Sequence, residues 1–462
     1  MKQNLTEGNV GKHLIDLTIP MIWGVFAVIA FSIADTYYVG KLGADELAAM
    51  SFTWPVVTTL GSLAMGLGVG ASSIIARAIG EGDRLKVQRL TTDSLSLSLL
   101  AVGIFVFIGL ATIDPLFTAL GATPELLPLI HSYMEIWYWG MIFLVIPMVG
   151  NSAIRAAGNI QVASMIMIFA GLVNIILDPF FIFGWAGLPR LELAGAAMAT
   201  VIARATTLLA ALFFLYREKM LCYHLPKLPV LLNSWKNILY VGLPAAGSSM
   251  IMPMSIGVIT SMVAVYGNEA VAGFGVASRV EAFGSIVLMS LAAIIGPFVG
   301  QNWGAKQYHR VHRSLQLSFL FCLFWGVFLA AIIAPTGSWI ASLFNSDPKV
   351  VKIAATYLLI VPISYGASGA IQVASSTFNA LGKPLPSTAM ILIRMLVLYV
   401  PLAYLGRKFF GINGIFLATA FSNIAVGWLG FIWTQKTCAD EKRQRAESMD
   451  GKQQLVNVSD QN

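Results

Sequence analysis

Charged side chains are scarce in this chain of 462 residues: 11% are Asp, Glu, Lys or Arg, against about 25% in soluble globular domains. With 57% hydrophobic residues and a mean hydropathy of +0.77, the composition is that of a membrane protein. Cysteine is scarcer still. Cys222, Cys322 and Cys438 are too few and too scattered for a disulfide framework or a metal site. The five histidines, His13, His131, His224, His309 and His312, form no HExxH or similar metal motif. Hydrophilic catalytic loops are also missing, which argues against a membrane enzyme. No GxxxxGK[ST] occurs, so transport driven by ATP lacks its motif. Residues 1–12 are polar and lack the apolar core of a signal peptide, so the first apolar run is expected to be retained as a helix.

What the chain does have is apolar runs long enough to cross a bilayer. Twelve are found: 17–39, 47–76, 95–113, 126–153, 162–183, 194–216, 238–266, 271–299, 315–334, 350–374, 389–405 and 412–433. The fold class expected is an all-α integral membrane protein of 12 transmembrane helices with both termini on one side. The net charge of +7 is a topology signal and not a mark of nucleic-acid binding. Of 29 Lys and Arg, 20 fall in the termini and the even-numbered loops, six in the odd-numbered loops, and three, Arg204, Arg279 and Arg394, inside spans. The positive-inside rule then makes the termini and the loop Arg217 to Lys236 cytoplasmic. The tail from 436 to 462 is polar and free of aromatics, and is read as disordered.

Shifting the chain against itself by 224 residues brings the first six spans onto the second six. Thr18-Ile19-Pro20 meets Gly242-Leu243-Pro244, Ala78-Ile79-Gly80 meets Asn302-Trp303-Gly304, and Arg155 to Gly158 meets Asn379 to Gly382. After the fifth span the register slips by five, so that Gly195 to Thr200 meets Gly414 to Thr419. Six spans per repeat give both repeats the same orientation, related by an axis along the membrane normal, with substrate near the midplane between two pseudo-symmetric lobes. The domains predicted are a first lobe at 1–216, an inter-lobe loop at 217–236, a second lobe at 237–435 and the tail. Two lobes that rock against each other suit alternating access better than a channel or a receptor.

Asp35 is the one carboxylate between Leu17 and Val39. A carboxylate inside a membrane helix costs roughly 2.5–3.5 kcal/mol on insertion scales and marks a functional site by default. Asn174 and Asp178 are four residues apart and share a helix face. Asp178 lies six residues before Gly184 and Asp35 six before Lys41, so both acids sit at one depth. Pro179 frees the carbonyl of Ile175 beside the acid. Thr200, six residues after Ala194, lies at a similar depth, although an isolated Thr in a membrane helix often only hydrogen-bonds its neighbours. Asp35, Asn174, Asp178 and Thr200 supply enough oxygens for a small cation, or for a carboxylate pair sharing a proton.

The remaining charges have structural readings. Arg279 and Glu281, two residues apart, do not face each other, and a Glu281–Arg394 bridge inside the second lobe is expected. Arg204, four residues after Thr200, is near enough to act on Asp178. Glu135 is cavity-facing or interfacial. Met250, Met252 and Met254, with Trp54, are packing residues or the lining of an adaptable pocket.

Taken together, Ile33 to Thr36, Asn174 to Pro179, Gly195 to Thr200 and Gly300 to Ala305 resemble the bacterial multidrug and toxic compound extrusion (MATE) transporters, in the branch typified by DinF. The resemblance implies two six-helix lobes and export of small organic, often cationic, drugs in exchange for H+ or Na+, without a cofactor. It implies ion coupling at Asp35, Asn174, Asp178 and Thr200, with Na+ at the same four residues as the metal alternative, and a first-lobe cavity lined by Tyr133, Asn151 and Met167. It also implies a monomer in the bacterial inner membrane, with the lipid bilayer and drug-like molecules as partners and no nucleic acid. Acids that the NorM-like branch carries in the seventh and tenth spans are missing here. A lipid-linked oligosaccharide flippase of the same superfamily is the alternative function.

Overall fold

The computed structural model describes residues 5–223 and 227–459. It is helical, with no strand among the described residues. The first half comprises α1 (Val10–Gly40), α2 (Ala44–Gly80), α3 (Arg84–Ala119), α4 (Leu127–Trp139), α5 (Ile142–Ala156), α6 (Ile160–Phe183) and α7 (Glu192–Arg217). The second comprises α8 (Leu228–Ala264), α9 (Asn268–Gly304), α10 (Tyr308–Ser342), α11 (Pro348–Ile360), α12 (Tyr365–Ala380), α13 (Pro384–Leu392), α14 (Val400–Phe410) and α15 (Ile412–Ser459). Eleven stretches among the described residues are long and apolar enough to cross a membrane, and the α4–α5 pair, bent by 44°, makes a twelfth. Side-chain caps mark several starts, as where Asn9 accepts from the Lys12 amide at 3.1 Å and Asp83 from the Lys86 amide at 2.9 Å.

Three features depart from the hydropathy reading. The fourth span is two helices that meet at Gly140 and Met141. Its repeat partner is interrupted at the equivalent place by a 3₁₀ turn, Val361–Ser364, which contains Pro362. Loop 217–236 is shorter than expected, because α8 starts at Leu228 with Pro229 in its first turn, where a missing N–H costs nothing. The C-terminal tail, expected to be disordered, continues α15 to Ser459. Its Ala, Glu, Lys, Arg and Gln residues are strong helix formers, which a hydropathy scan ignores.

The two halves meet at one end of the bundle. This is the end where α2, α5, α7, α9 and α12 finish and where Arg77, Arg155, Arg217, Lys306 and Lys383 gather, the basic end. The apolar cores report the same asymmetry. One belongs to the first half and takes in Ile238 from the start of α8. A second joins Leu5, and Val10 to Met21 of α1, to Leu291, Ile295 and Phe298 of α9. A third, around Tyr357 and Phe416, lies within the second half at the far end.

The contacts at the basic end obey the twofold relation in the sequence. A Cβ on Gly80 would lie 2.0 Å from the carbonyl of Gln301, and one on Gly304 2.1 Å from that of Arg77. Gly80 and Gly304 are equivalent under the 224-residue shift, as are Arg77 and Gln301. Glycine is required at both places because the two backbones touch. The same pair closes the interface with side chains. Arg77 Nη1 donates to the Leu381 carbonyl at 3.2 Å, and Gln301 Nε2 to the Ala156 carbonyl at 2.6 Å. Each caps an orphaned carbonyl at the end of the other half's fourth span.

Away from that end the facing surfaces part. Met65, whose sulfur accepts from Ser249 Oγ at 3.8 Å, is 50% exposed, and Trp54, three turns further along the same face, is 54% exposed. On α8 the face that packs on α2 through Gly242 carries exposed Met252 and Ile256 nearer its far end. The halves therefore enclose a cleft that is sealed at the basic end and open at the other.

Candidate functional site

α1 and α6 run in the same direction, side by side. Gly24 packs on Ser164 and Gly171 on the Ala27 backbone, an offset of 140 to 144 residues. Continued for two turns, that register brings Asp35 beside Asp178, and the two carboxylates interact electrostatically. α7 is pressed onto α6 at Gly195, where a Cβ would stand 2.3 Å from the Phe181 carbonyl. The run Gly195-Ala196-Ala197 permits that approach and delivers Thr200 to Asn174.

Asn174 Nδ2 donates to Thr200 Oγ1 at 3.2 Å and to Asp178 Oδ1 at 3.4 Å. Asp178 is fully buried and Asn174 is 2% exposed. Three oxygens of the group, Asp35 Oδ1, Asn174 Oδ1 and Asp178 Oδ2, are buried with no hydrogen-bond partner among the described residues. An unpaired buried acceptor costs about 1–3 kcal/mol, and more when charged. Three together form a place that wants a proton or a cation. Arg204 and Tyr133 complete the surroundings, both in electrostatic contact with Asp35. With both acids ionised, two negative charges face one guanidinium, so a single positive charge makes the group neutral.

Of the residues expected to line a first-lobe cavity, Tyr133 joins this group, on α4. Asn151 and Met167 lie elsewhere. Asn151 is buried on α5, five residues from its basic end, with Oδ1 unpartnered. Met167 lies seven residues into α6, in contact with the core that joins α1 to the second half.

The second half holds a polar group of its own. The Tyr357 hydroxyl donates to Glu281 Oε2, Tyr399 bonds Thr419, and Asn423 Nδ2 donates to Ser364 Oγ at 3.0 Å. Arg394 lies in a π-helical stretch, Ile393–Tyr399, and acts on Glu281 electrostatically. The expected Glu281–Arg394 salt bridge is not formed among the described residues. Tyr357, in reach across the half, has taken the carboxylate instead. The repeat could have revealed this group, since a shift of 224 pairs Tyr133 with Tyr357, and the slipped register pairs Thr200 with Thr419 and Arg204 with Asn423.

A duplicated twelve-span bundle, closed at its basic end and carrying an intramembrane acid pair nearer the open end, has the architecture of a membrane transporter. The MatE family model matches residues 20–180 and again 244–405, segments that begin 224 residues apart. The chain belongs to the MatE family, whose members are transporters and not enzymes. It is 34% identical over 449 residues, 97% of this chain and 99% of the other, to the FAD transporter of Shewanella oneidensis. It is 25% identical to the multidrug export protein MepA of Staphylococcus aureus, over 88% of this chain and 89% of that one. Among solved structures, the Vibrio cholerae MATE transporter VcmN superposes with a TM-score of 0.89 at 28% identity, covering 94% of this chain and 98% of its own.

Proposed function

We propose that the protein is an antiporter that exports small organic compounds in exchange for protons, with Asp35 and Asp178 as the coupling pair and Asn174 and Thr200 as their fixed partners. One observation carries this reading: three buried acceptor oxygens on three residues lack a hydrogen-bond partner among the described residues. A proton shared by the carboxylates turns one acceptor into a donor and brings the group with Arg204 to neutrality. Loss of that proton restores the charge and unsettles α1 beside α6. α1 also contacts the second half through Leu14 to Met21, so a change at Asp35 is led along one helix to the contact between the halves.

The membrane is the bacterial inner membrane, with the basic end and both termini in the cytoplasm, where 20 of 29 Lys and Arg would lie. The outlined state is then outward-open. No cofactor is needed for this exchange, and Na+ at the same oxygens is the alternative that the test must separate. The test is efflux from energised vesicles with a proton gradient or a sodium gradient imposed separately. Efflux driven by the proton gradient and lost in Asp35→Asn is expected. Efflux that follows sodium alone, or that survives in Asp35→Asn, overturns proton coupling through this pair. The relatives name two kinds of cargo, drugs for MepA and a flavin dinucleotide for the Shewanella oneidensis protein.

A further inference from the structure

Arg279 is exposed, eleven residues into α9, inside a membrane-spanning helix. It forms no salt bridge among the described residues. A guanidinium keeps its charge under all ordinary conditions, and in the apolar layer it must face water or a partner. Its direction follows from the helix. At about 100° per residue, Gly275, Arg279 and Ala282 lie within about 60° of Gly300 around α9. Gly300 is the residue that meets Ala76 of α2 at the seal. Arg279 therefore points into the cleft, on the face that closes against the first half. Glu281 lies about 200° further round and is held by Tyr357, so it offers Arg279 no countercharge on that face, and no salt bridge to Arg279 forms among the described residues.

Nor do the described residues of the first half offer a countercharge. Facing α2 presents Ser51, Trp54, Pro55 and Thr58, and the acids of the coupling pair are turned into their own half, with Asp178 fully enclosed. The position equivalent to Arg279 on α2 is Pro55, so the cation is not a remnant of duplication. The helices that face the cleft also carry exposed apolar side chains, Trp54 on α2 and Met252 on α8.

We propose that the cleft binds organic anions, aromatic compounds bearing a phosphate or carboxylate, and that Arg279 takes the anionic group. This rests on the alternating-access reading above and replaces the expected cationic cargo. A guanidinium pairs with two oxygens of a phosphate or carboxylate at once, which fixes orientation as well as charge. The apolar surfaces hold the ring system.

The test uses the full-length protein and two probes that differ by one phosphate, flavin mononucleotide and riboflavin. In detergent solution, titration followed by flavin fluorescence should show the mononucleotide bound at least tenfold more tightly than riboflavin. Arg279→Gln should remove that difference while leaving riboflavin binding in place, and Arg279→Lys should restore part of it. Equal binding of the two flavins by the wild-type protein, or an undiminished preference in Arg279→Gln, overturns the proposal. Binding is read without any gradient. If the protein in liposomes moves neither flavin nor ethidium under a proton or sodium gradient, the antiport reading fails while the anion site stands or falls on the titration.

Discussion

Adding one methyl group at Gly304 should open the seal at the basic end. In Gly304→Ala the new Cβ would stand 2.1 Å from the Arg77 carbonyl oxygen, whereas carbon and oxygen rest about 3.3 Å apart. The helices must part by about 1 Å, and overpacking of this kind costs about 1–3 kcal/mol. The cost falls only on the sealed state, because the two backbones separate when the basic end opens. At about 2 kcal/mol the ratio of sealed to open protein falls about 30-fold. Ser73, 4% exposed and donating to the Asn379 carbonyl across the interface, is a reporter inside the seal. In a background without the native cysteines, Ser73→Cys should react with a membrane-impermeant thiol reagent at least tenfold faster when Gly304→Ala is added. Gly80→Ala makes the repeat-equivalent clash, 2.0 Å from the Gln301 carbonyl, and should accelerate labelling by a similar factor. Unchanged labelling in both variants, or a large effect in one and none in the other, would refute the twofold description of the seal.

Arg77→Ala and Gln301→Ala each remove a cap across the same interface, at about 1 kcal/mol each, and should raise the labelling rate of Ser73→Cys about fivefold. Tyr357→Phe strips the Glu281 carboxylate of its donor inside the second half, so it should lower the melting temperature in detergent, and Glu281→Gln in the same background should recover part of the loss. Flavin mononucleotide carries about −1.5 to −2 charge on its phosphate at pH 7, so its export against one entering proton moves between about two and three charges in one sense, each worth about 2.3 kcal/mol per 100 mV. An inside-negative potential should therefore speed flavin mononucleotide export, whereas exchange of a monovalent cation for one proton would not respond.

Much of the architecture was legible because bilayer thickness acts on sequence directly. Apolar runs marked all twelve crossings, and the 224-residue register is visible in the twofold contacts of Gly80 with Gly304 and of Arg77 with Gln301. The grouping of Asn174, Asp178 and Thr200 was legible for a local reason, the four-residue helix spacing combined with depth. What escaped depended on tertiary contact or on propensity. The break at Gly140 leaves hydropathy unchanged, and the helical tail beyond residue 436 is mostly polar. The partner of Glu281 is a tyrosine 76 residues away, chosen by packing of α9 on α11. Arg279 was read only as a residue that does not face Glu281. Its direction into the cleft needed the contact between Gly300 and Ala76 to orient the helix.

The central claim is that Asp35 and Asp178 hold the coupling proton, and proton release by the purified protein tests it most directly. In weakly buffered detergent solution with a pH-sensitive dye, addition of a transported substrate should release about one proton per protein, as expected for a group with one guanidinium and two acids. Asp35→Asn should release none while remaining folded. Undiminished release from Asp35→Asn, or release from the wild type only when sodium is present, would contradict the account.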